Sequence, residues 1–415
     1  MLQSKLFAKS KKSVSAEAQT ISQQLLLRAD FIEQSFAGVY RFLPLGFKVL
    51  KNIEAIVRQE MEALGGQEVC LAALQSKALW EETGRWETFD PPLFKFKDRH
   101  EKEIGLGSTH EEEIVDIFRH RIKSYQDLPL ALFQIQTKFR NEMRPSGGLM
   151  RTREFLMKDL YSFHAEEKEA AAFYEKVKAS YFRIFKKCGL NPLCVQADSG
   201  TIGGSESNEF MVVSEIGEDR ILVCAKCGFS ANIEKIGEVK KCPQCGMDLA
   251  EKRAVEIGHI FKLGDKYSKV MKADFTDKAG QSHPVIMGCY GIGLPRLMAM
   301  VVESNHDEKG IIWPKTVSPF AIHLVPIEAN ARVKKAADKI YQELQKEGLN
   351  VLYDDREGKT AGEKFAEADL LGTPWRIVVS ERSLKNNSAE IKERKRKEAV
   401  LVSLSRVKTY FKKLC

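Results

Sequence analysis

The sequence lacks the features of a secreted or membrane-embedded protein. Its nine cysteines among 415 residues are too few for a disulfide scaffold, and there is no run of about 18 or more apolar residues that could span a bilayer. The basic start, MLQSKLFAKSKK, has neither a long apolar core nor a small-residue cleavage site. We therefore expect no membrane segment and a location in the reducing cytoplasm.

The composition is typical of a globular protein with a sizeable core. Hydrophobic residues make up 43% and charged residues 29% of the chain, and this length allows about two to four domains. Residues 319–415 hold twenty Lys and Arg against fourteen Asp and Glu, so +6 of the net charge of +8 lies there. That excess predicts a basic face for a phosphate backbone, although the run IKERKRKEAV alone is more typical of a solvated hairpin.

Four of the cysteines form two close pairs, Cys224 with Cys227 and Cys242 with Cys245, separated by fourteen residues. Each C-x2-C turn presents two thiolates to one ion, and the glycine after each pair permits the tight turn. Four sulfurs close a tetrahedral zinc site without an open position, so we predict structural zinc. A redox dithiol or idle core cysteines are the alternatives.

Residues 130–163 carry the densest pattern of polar and aromatic side chains. Strand alternation places one set of polar residues opposite an apolar set, and Arg151, Arg153 and Phe155 share a face after the turn RPSGG. The polar set is Gln134, Gln136, Lys138, Arg140 and Glu142. Guanidinium groups beside an aromatic ring suit a nucleoside triphosphate. The alternative is a solvated, charged edge strand with one packed Phe.

Two further segments have the composition of ligand-binding loops. In GLGSTHEEEIVDIF, Ser108 and Thr109 precede a helix predicted to begin at about Glu112, which also permits a simple capping role. In GCYGIGLPRLMAM, Gly291 and Gly293 permit close backbone approach to a ligand. Arg296 then projects from a helix start, where a surface ion pair is the alternative.

Together these motifs resemble the class II aminoacyl-tRNA synthetases. SFAGVYRFLPLG, ETGRWE, QIQTKFRNEMRP, REFLMKDLYSFH, GGSESNEF, VEIGHIFKLGDKYS and MGCYGIG are similar to the bacterial-type prolyl-tRNA synthetase family, from about residue 3 to the C-terminus. The resemblance implies an α+β fold: a class II synthetase antiparallel sheet with flanking helices, a small zinc-knuckle insertion, and a C-terminal α/β anticodon-binding domain. The N-terminal stretch shares the resemblance, so we expect it in the mature enzyme.

The resemblance also implies roles for individual residues. Thr109 and Glu111, with Gly291, would hold the proline, and Arg140 would bind both the proline carboxylate and the α-phosphate of ATP. Arg151 and Arg296 would hold the outer phosphates of ATP with Mg²⁺, Glu142 the adenine amino group, and Phe155 would stack on adenine. We take Arg140 and Arg296 as catalytic.

The implied organisation has four parts: residues 1–216 and 255–315 as the catalytic domain, 217–254 as the zinc knuckle, and 319–415 as the anticodon-binding domain. The implied function is the ATP-dependent attachment of L-proline to tRNA(Pro) through prolyl-adenylate by a homodimer. Only about fifty residues separate Phe210 from His259, too few for the editing domain of many relatives.

The chain departs from the family pattern at two places. Leu71-Ala72-Ala73 stands where a proline ends the dimer-forming motif, and Asn208 stands where histidine is usual. We therefore assign no catalytic role to residues 203–210. Two other functions stay open at this point: a regulatory paralogue, which should have lost the arginines, and a nucleic-acid-binding protein without catalysis.

Overall fold

A computed structural model describes residues 1–327 and 330–412. Within them the α-helices are α1 Ile21–Arg28, α2 Pro44–Ala63, α3 Lys77–Glu82, α4 Arg85–Thr88, α5 Glu111–Arg121, α6 Glu167–Lys187, α7 Ile233–Ile236, α8 Lys266–Val270, α9 Leu294–Ser304, α10 Ala331–Lys346, α11 Ala361–Leu371, α12 Glu381–Lys385 and α13 Val407–Lys412.

The strands are β1 Ile32–Phe36, β2 Val39–Phe42, β3 Gln67–Glu68, β4 Leu74–Ser76, β5 Lys95–Lys97, β6 Glu103–Leu106, β7 Leu130–Phe139, β8 Glu154–His164, β9 Leu193–Ala197, β10 Glu206–Val213, β11 Asp219–Val223, β12 Ser230–Asn232, β13 Ala250–Gly264, β14 Asp274–Thr276, β15 Ser282–Pro284, β16 Ile286–Gly293, β17 His306–Asp307, β18 Gly310–Ile311, β19 Ile322–Pro326, β20 Val351–Tyr353, β21 Trp375–Val379, β22 Ser388–Glu393 and β23 Val400–Ser403.

The described chain forms two compact units, which we treat separately. One comprises residues 36–39 and 54–300, and the other comprises residues 1–35, 40–53 and the chain from 301 onward. These units are defined by how densely their residues contact one another, whereas the four predicted parts were defined by function. The predicted boundaries therefore stay a prediction.

The unit of residues 54–300 is built on a nine-stranded sheet. Its strand order is β10-β9-β12-β11-β13-β16-β8-β7-β3, and β10 also pairs with β13. Most pairs are antiparallel, while β12 with β9 and β3 with β7 are parallel. The predicted antiparallel sheet with flanking helices is therefore confirmed, with two parallel pairs that the sequence did not indicate.

Helix α6 covers one face of this sheet. Its buried residues, among them Tyr174, Val177, Tyr181 and Ile184, recur every three or four positions and so form one apolar stripe. The helix packs on β8, β13 and β16. Lys158 of β8 donates a hydrogen bond to Tyr181 of α6, so its side chain lies on the α6 face. Strand alternation turns the neighbouring residues of β8 to the opposite face.

Strands β7 and β8 form the predicted hairpin. Their register runs from Leu130 opposite Phe163 to Phe139 opposite Glu154. The alternative of a solvated edge strand is wrong, because β16 pairs with the far side of β8 and places the hairpin inside the sheet. Lys138 is consequently fully buried, and its ammonium lies 2.9 Å from the carboxylate of Asp159.

The other unit contains a five-stranded sheet in the order β20-β19-β21-β22-β23. Strand β19 is parallel to β20 and β21, and β22 with β23 forms an antiparallel hairpin. This confirms the predicted alternation of strands and helices and the hairpin at IKERKRKEAV. The N-terminal residues belong to the same unit: Leu2 bridges to Tyr353, and Gln3 hydrogen-bonds the buried His323 at 2.8 Å.

His164, at the end of β8, is a buried histidine without a hydrogen-bond partner on either ring nitrogen among the described residues. Its ring centre lies 5.3 Å from that of Phe173. Burial lowers the pKa of His164 to about 4, because the imidazolium cannot be solvated there.

Replacing this histidine should make the protein less sensitive to acid. In the unfolded chain a histidine binds its proton near pH 6.5, whereas His164 in the folded chain does so only near pH 4. Between these two values, each decrease of one pH unit therefore lowers the free energy of unfolding by about 1.4 kcal/mol through this group. We expect His164→Phe to be at least as stable as the parent at pH 7, with an advantage that grows toward pH 5.

Thermal unfolding midpoints of both proteins at pH 7, 6 and 5 measure this difference. His120→Phe, which changes an exposed histidine, is the control for a general effect of added aromatic surface. A difference between parent and His164→Phe that stays constant over this range contradicts the prediction.

Candidate active site

A cavity of about 400 Å³ lies in the unit of residues 54–300. It opens on the face of the nine-stranded sheet opposite α6, where β8, β13 and β16 and the start of α5 contribute side chains. The structure brings together all the residues predicted to bind nucleotide or amino acid: Thr109, Glu111, Arg140, Glu142, Arg151, Phe155, Gly291 and Arg296 line this cavity. Arg153, predicted on the same face, does not line it, because its guanidinium turns to the backbone oxygens of Ala37 and Glu142.

Arg140 is a cation in the cavity wall that forms no ion pair with a carboxylate of the described residues. It follows β7 directly, where its backbone nitrogen donates to Arg153 at 2.8 Å. Its guanidinium lies 5.1 Å from the centre of the Phe155 ring, and its buried Nε has no hydrogen-bond partner among the described residues. Burial, and then Arg296, lower the pKa of Arg140. A half-buried guanidinium in this state favours an incoming anion.

Arg296 and Arg151 are held in place by neighbouring groups. Arg296 Nε donates to the backbone oxygen of Met150 at 2.7 Å, and its Nη1 to the carboxylate of Glu256 at 2.9 Å. Arg151 Nε donates to Glu142 at 2.8 Å. Arg151 keeps 46% of its side-chain surface exposed, so it can still meet a ligand. The surface ion pair considered for Arg296 is thus real, but it lies in the cavity wall.

Glu111 is a fully buried carboxylate at the first position of α5. It accepts hydrogen bonds from Thr109 Oγ1 at 2.7 Å and Cys289 Sγ at 3.1 Å. Arg85 Nη1 lies 3.3 Å from Glu111 and 2.9 Å from Glu112. The Arg85 guanidinium therefore balances the negative charge of these two buried carboxylates, whose burial without a cation would be costly.

The capping role considered for Ser108 and Thr109 is wrong. Helix α5 begins at Glu111, with His110 as the N-cap and no side-chain hydrogen bond to the helix. Ser108 and Thr109 come too early to reach the free amides of the first turn. Thr109 is instead directed to the carboxylate of Glu111.

Gly291 and Gly293 line the cavity from β16. A Cβ added at either position would meet no atom closer than 3.9 Å, so the protein's own packing does not require glycine there. The open space belongs to the cavity, as expected for glycines that admit a ligand.

Glu256, His259 and Glu209 form a polar cluster that the sequence did not reveal. Their ligand atoms lie within 4.8 Å of one another, close enough to hold one cation. Strand alternation would put Glu256 and His259 on opposite faces of β13, but the register with β10 shifts between Phe210 and Met211. This bulge turns both residues toward the cavity.

Asn208 has a structural position, in line with the absence of a predicted catalytic role. It is buried, and its Oδ1 accepts a hydrogen bond from Tyr174 at 2.8 Å. The preceding turn at 198–202 borders the cavity, which the sequence did not indicate.

The four cysteines of the two C-x2-C turns converge. Cys224 Sγ lies 3.5 Å from Cys245 Sγ and Cys227 Sγ 3.5 Å from Cys242 Sγ, and all four sulfurs lie within 4.8 Å of one another. These distances are too long for disulfide bonds. A zinc ion with four Zn–S bonds of about 2.3 Å requires sulfurs about 3.8 Å apart. The cluster therefore fits a four-coordinate metal site.

Comparison with known proteins gives two family matches and many relatives. Residues 94–305 match the tRNA synthetase class II core domain (G, H, P, S and T), and residues 321–414 match an anticodon binding domain. A proline--tRNA ligase of Dehalococcoides mccartyi is 36% identical over 98% of this chain and 98% of its own length. One from Wolbachia is 43% identical over 94% of both chains.

Solved structures share the fold. The prolyl-tRNA synthetase of Cryptosporidium parvum, complexed with halofuginone and AMPPNP, is 20% identical with a TM-score of 0.79, over 97% of this chain and 79% of that one. The Giardia lamblia enzyme in complex with prolyl-adenylate is 21% identical with a TM-score of 0.79, over 92% of this chain and 74% of that one.

Proposed function

The chain belongs to the class II aminoacyl-tRNA synthetases, among the proline–tRNA ligases, and from this premise we propose how its cavity carries out the reaction. The enzyme attaches L-proline to tRNA(Pro) through a prolyl-adenylate, without a cis-editing domain. The stretch from Phe210 to His259, fully described, is taken up by β11, β12, α7, part of β13 and the cysteine turns.

The observation that carries the mechanism is Arg140, a half-buried guanidinium in the cavity wall whose Nε is buried without a hydrogen-bond partner among the described residues. Arg140 binds the proline carboxylate and the α-phosphate of ATP, and so brings the nucleophile and its target to the same cation. The carboxylate oxygen attacks the α-phosphorus in line, the new P–O bond forms, and the bond to pyrophosphate breaks. Arg140 stabilises the charge that gathers on the α-phosphate oxygens without having to reorganise.

Arg151 and Arg296 bind the β- and γ-phosphates of ATP. Their present partners, Glu142 and Glu256, hold the guanidinium groups in place before the nucleotide arrives. The carboxylates of Glu209 and Glu256 would hold Mg²⁺, which prefers oxygen ligands and would supply positive charge to the triphosphate. Glu142 orients the adenine amino group, and Phe155 stacks on the ring.

Glu111 and Thr109 select the imino acid. The secondary ammonium of proline donates two hydrogen bonds, one for the Glu111 carboxylate and one for the Thr109 hydroxyl, beside Gly291. Arg85, in contact with both Glu111 and Glu112, holds the two carboxylates in place. Rejection of alanine by size is weaker, because each missing methylene changes binding by only about 1–3 kcal/mol.

In the second step the terminal ribose hydroxyl of the tRNA attacks the prolyl-adenylate carbonyl. The ester bond forms, the bond to the phosphate oxygen breaks, and AMP leaves. An oxygen of the departing phosphate takes the hydroxyl proton. Retention of Arg140, Arg151 and Arg296 in the cavity supports an active enzyme over a regulatory paralogue or a non-catalytic nucleic-acid-binding protein.

Residues 319–415 form the anticodon-binding domain, whose excess of Lys and Arg suits the phosphate backbone of the tRNA, and residues 1–216 with 255–315 form the catalytic domain. The enzyme works as a homodimer, and the short edge strand β3 of the nine-stranded sheet is a candidate contact between the subunits. No helix in the described ranges is long and apolar enough to cross a bilayer. We place the enzyme in the cytoplasm, where its tRNA is charged.

Cys224, Cys227, Cys242 and Cys245 hold one zinc ion in the knuckle of residues 217–254. The donor set of four thiolates is the one that structural zinc sites use, and it leaves no position for substrate. The metal fixes the two turns and takes no part in the transfer of proline.

Exchange of labelled pyrophosphate into ATP tests the proposed reaction directly. We expect the purified chain to catalyse this exchange only when proline is present, because adenylate formation is reversible. Alanine at equal concentration is the control for amino-acid selection. Absence of proline-dependent exchange would refute the proposed function.

Replacing Glu111 should weaken the use of proline far more than the use of ATP. Glu111→Gln keeps the shape of the side chain and removes the charge that pairs with the imino group. We expect the KM for proline to rise by about tenfold to a hundredfold, with the KM for ATP nearly unchanged in the exchange assay. Glu113→Ala is the control, because Glu113 lies two residues further along α5 and does not line the cavity. Equal effects on both substrates would remove Glu111 from the imino-binding role.

Metal analysis tests the knuckle. We expect one zinc per chain, and we expect Cys227→Ser to lose zinc and to unfold several degrees lower, because metal binding contributes directly to the stability of such a small element. Cys70→Ser, at an exposed cysteine outside the cluster, is the control and should retain zinc. A metal-free parent whose unfolding temperature does not respond to added zinc would contradict the assignment.

A further inference from the structure

A ring of three hydrogen bonds and one ion pair lies directly beneath the Thr109–Glu111 segment. The backbone nitrogen of His110 donates to Tyr161 Oη at 3.1 Å, and Tyr161 Oη donates to Asp159 Oδ2 at 2.9 Å. Asp159 Oδ1 lies 2.9 Å from Lys138 Nζ, which in turn lies 2.7 Å from His110 Nδ1. The ring therefore begins at the backbone of His110 and ends at its side chain.

The direction of these hydrogen bonds is fixed by the surroundings. His110 Nε2 lies 3.0 Å from the backbone oxygen of Ala72, which can only accept, so Nε2 carries the proton and Nδ1 accepts from Lys138. Burial, and then Lys138, lower the pKa of His110 to about 4, which keeps the imidazole of His110 neutral. Burial opposes ionisation of Asp159, but Lys138 and His110 outweigh it and lower the pKa of the carboxyl.

All four members of the ring are withdrawn from water. Lys138 and His110 have no exposed surface, and Tyr161 and Asp159 expose no more than 2%. Asp159 borders the cavity, but its Oδ2 accepts from Tyr161 and from Gln134 Nε2 at 2.8 Å, and its Oδ1 faces the Lys138 ammonium. These contacts direct the carboxylate to protein groups.

The ring instead fixes the segment that carries the substrate-binding groups. His110 stands between Thr109 and Glu111, and both its backbone and its side chain are held. The backbone oxygen of Thr109 is held separately by Gln75 Nε2 at 3.1 Å. With these restraints the Thr109 hydroxyl and the Glu111 carboxylate keep their mutual 2.7 Å contact and their direction toward the cavity.

We propose that Lys138, Asp159 and Tyr161 are positioning residues for recognition of the substrate's imino nitrogen, acting through His110. The inference rests on the proposed function, in which Glu111 and Thr109 bind that nitrogen. It deepens that function by tracing selectivity for proline to a buried ion pair behind the site. ATP meets Arg140, Arg151 and Arg296 and does not depend on this ring for its contacts.

The matched control is a second buried lysine on the same hairpin. Lys158 has no exposed surface, like Lys138, and its ammonium meets Tyr181 Oη at 2.5 Å and the backbone oxygen of Tyr290 at 3.0 Å. It lies on the α6 face of the sheet, and both of these side-chain hydrogen bonds go to groups outside the ring, although Lys158 is the chain neighbour of Asp159. Lys138→Met and Lys158→Met thus remove equivalent buried ammonium groups from opposite faces of the sheet.

The test compares the two variants in proline-dependent pyrophosphate exchange. We expect Lys138→Met to raise the KM for proline by about tenfold or more and to leave the KM for ATP within about twofold, because a small displacement of binding groups weakens the contacts they make. Lys158→Met should leave the ratio of the two KM values as in the parent, whatever it does to stability. A Lys138→Met enzyme with an unchanged ratio overturns the proposal, as does a Lys158→Met enzyme with the same altered ratio.

Tyr161→Phe provides a second route if Lys138→Met does not fold. This substitution removes one hydroxyl from the ring of contacts and keeps the volume of the buried aromatic side chain. It should therefore raise the KM for proline selectively, by less than Lys138→Met. Equal changes in both KM values, or none, overturn the proposal. Failure of the parent to exchange pyrophosphate would refute the proposed function itself, whereas an active parent with unselective variants refutes only this inference.

Discussion

The register between β7 and β8 is the constraint on which the cavity depends. Phe155, Met157 and Asp159 all line the cavity, and they share a face because side chains alternate along β8. A slip of one residue would turn this set toward α6 and bring Lys158 into the cavity. The ladder from Leu130–Phe163 to Phe139–Glu154, continued by β16 on the other side, prevents such a slip. It also carries Arg140 past the end of β7 to its place beside Phe155.

The buried charges of this region fall into two classes with different consequences. Arg85 and Lys138 are neutralised by protein carboxylates, so they stabilise the wall of the site and offer little to a ligand. Among the described residues no carboxylate forms an ion pair with Arg140, and desolvation lowers its pKa. A protein retains an unneutralised, partly buried cation at some cost in stability. In the proposed function an anionic substrate would offset this cost.

Much of this arrangement could be predicted from the sequence, because local patterns carried it. The alternation in residues 130–163 predicted the hairpin, the two C-x2-C turns predicted converging sulfurs, and the family motifs predicted which residues line the cavity. The predictions failed where distant segments decide the outcome. Lys138 was expected on a polar face, but the ion pair with Asp159 buries it. The ion pairs of Arg85 with Glu111 and Glu112 join parts of the chain whose proximity no periodicity reveals.

The bulge in β13 links the cysteine knuckle to the cavity. The knuckle's apolar cluster is small: Cys224, Phe229, Ala231 and Cys242 are its fully buried members. So small a core is insufficient for an independent fold without a metal or another crosslink. Its strand β11 pairs with β13 from Asp219 opposite Ala254 to Val223 opposite Ala250, just before the bulge that turns Glu256 and His259 to the cavity. A metal ion that holds the knuckle together would therefore also stabilise the strand whose irregular register completes the site, although it lies outside the chemistry itself.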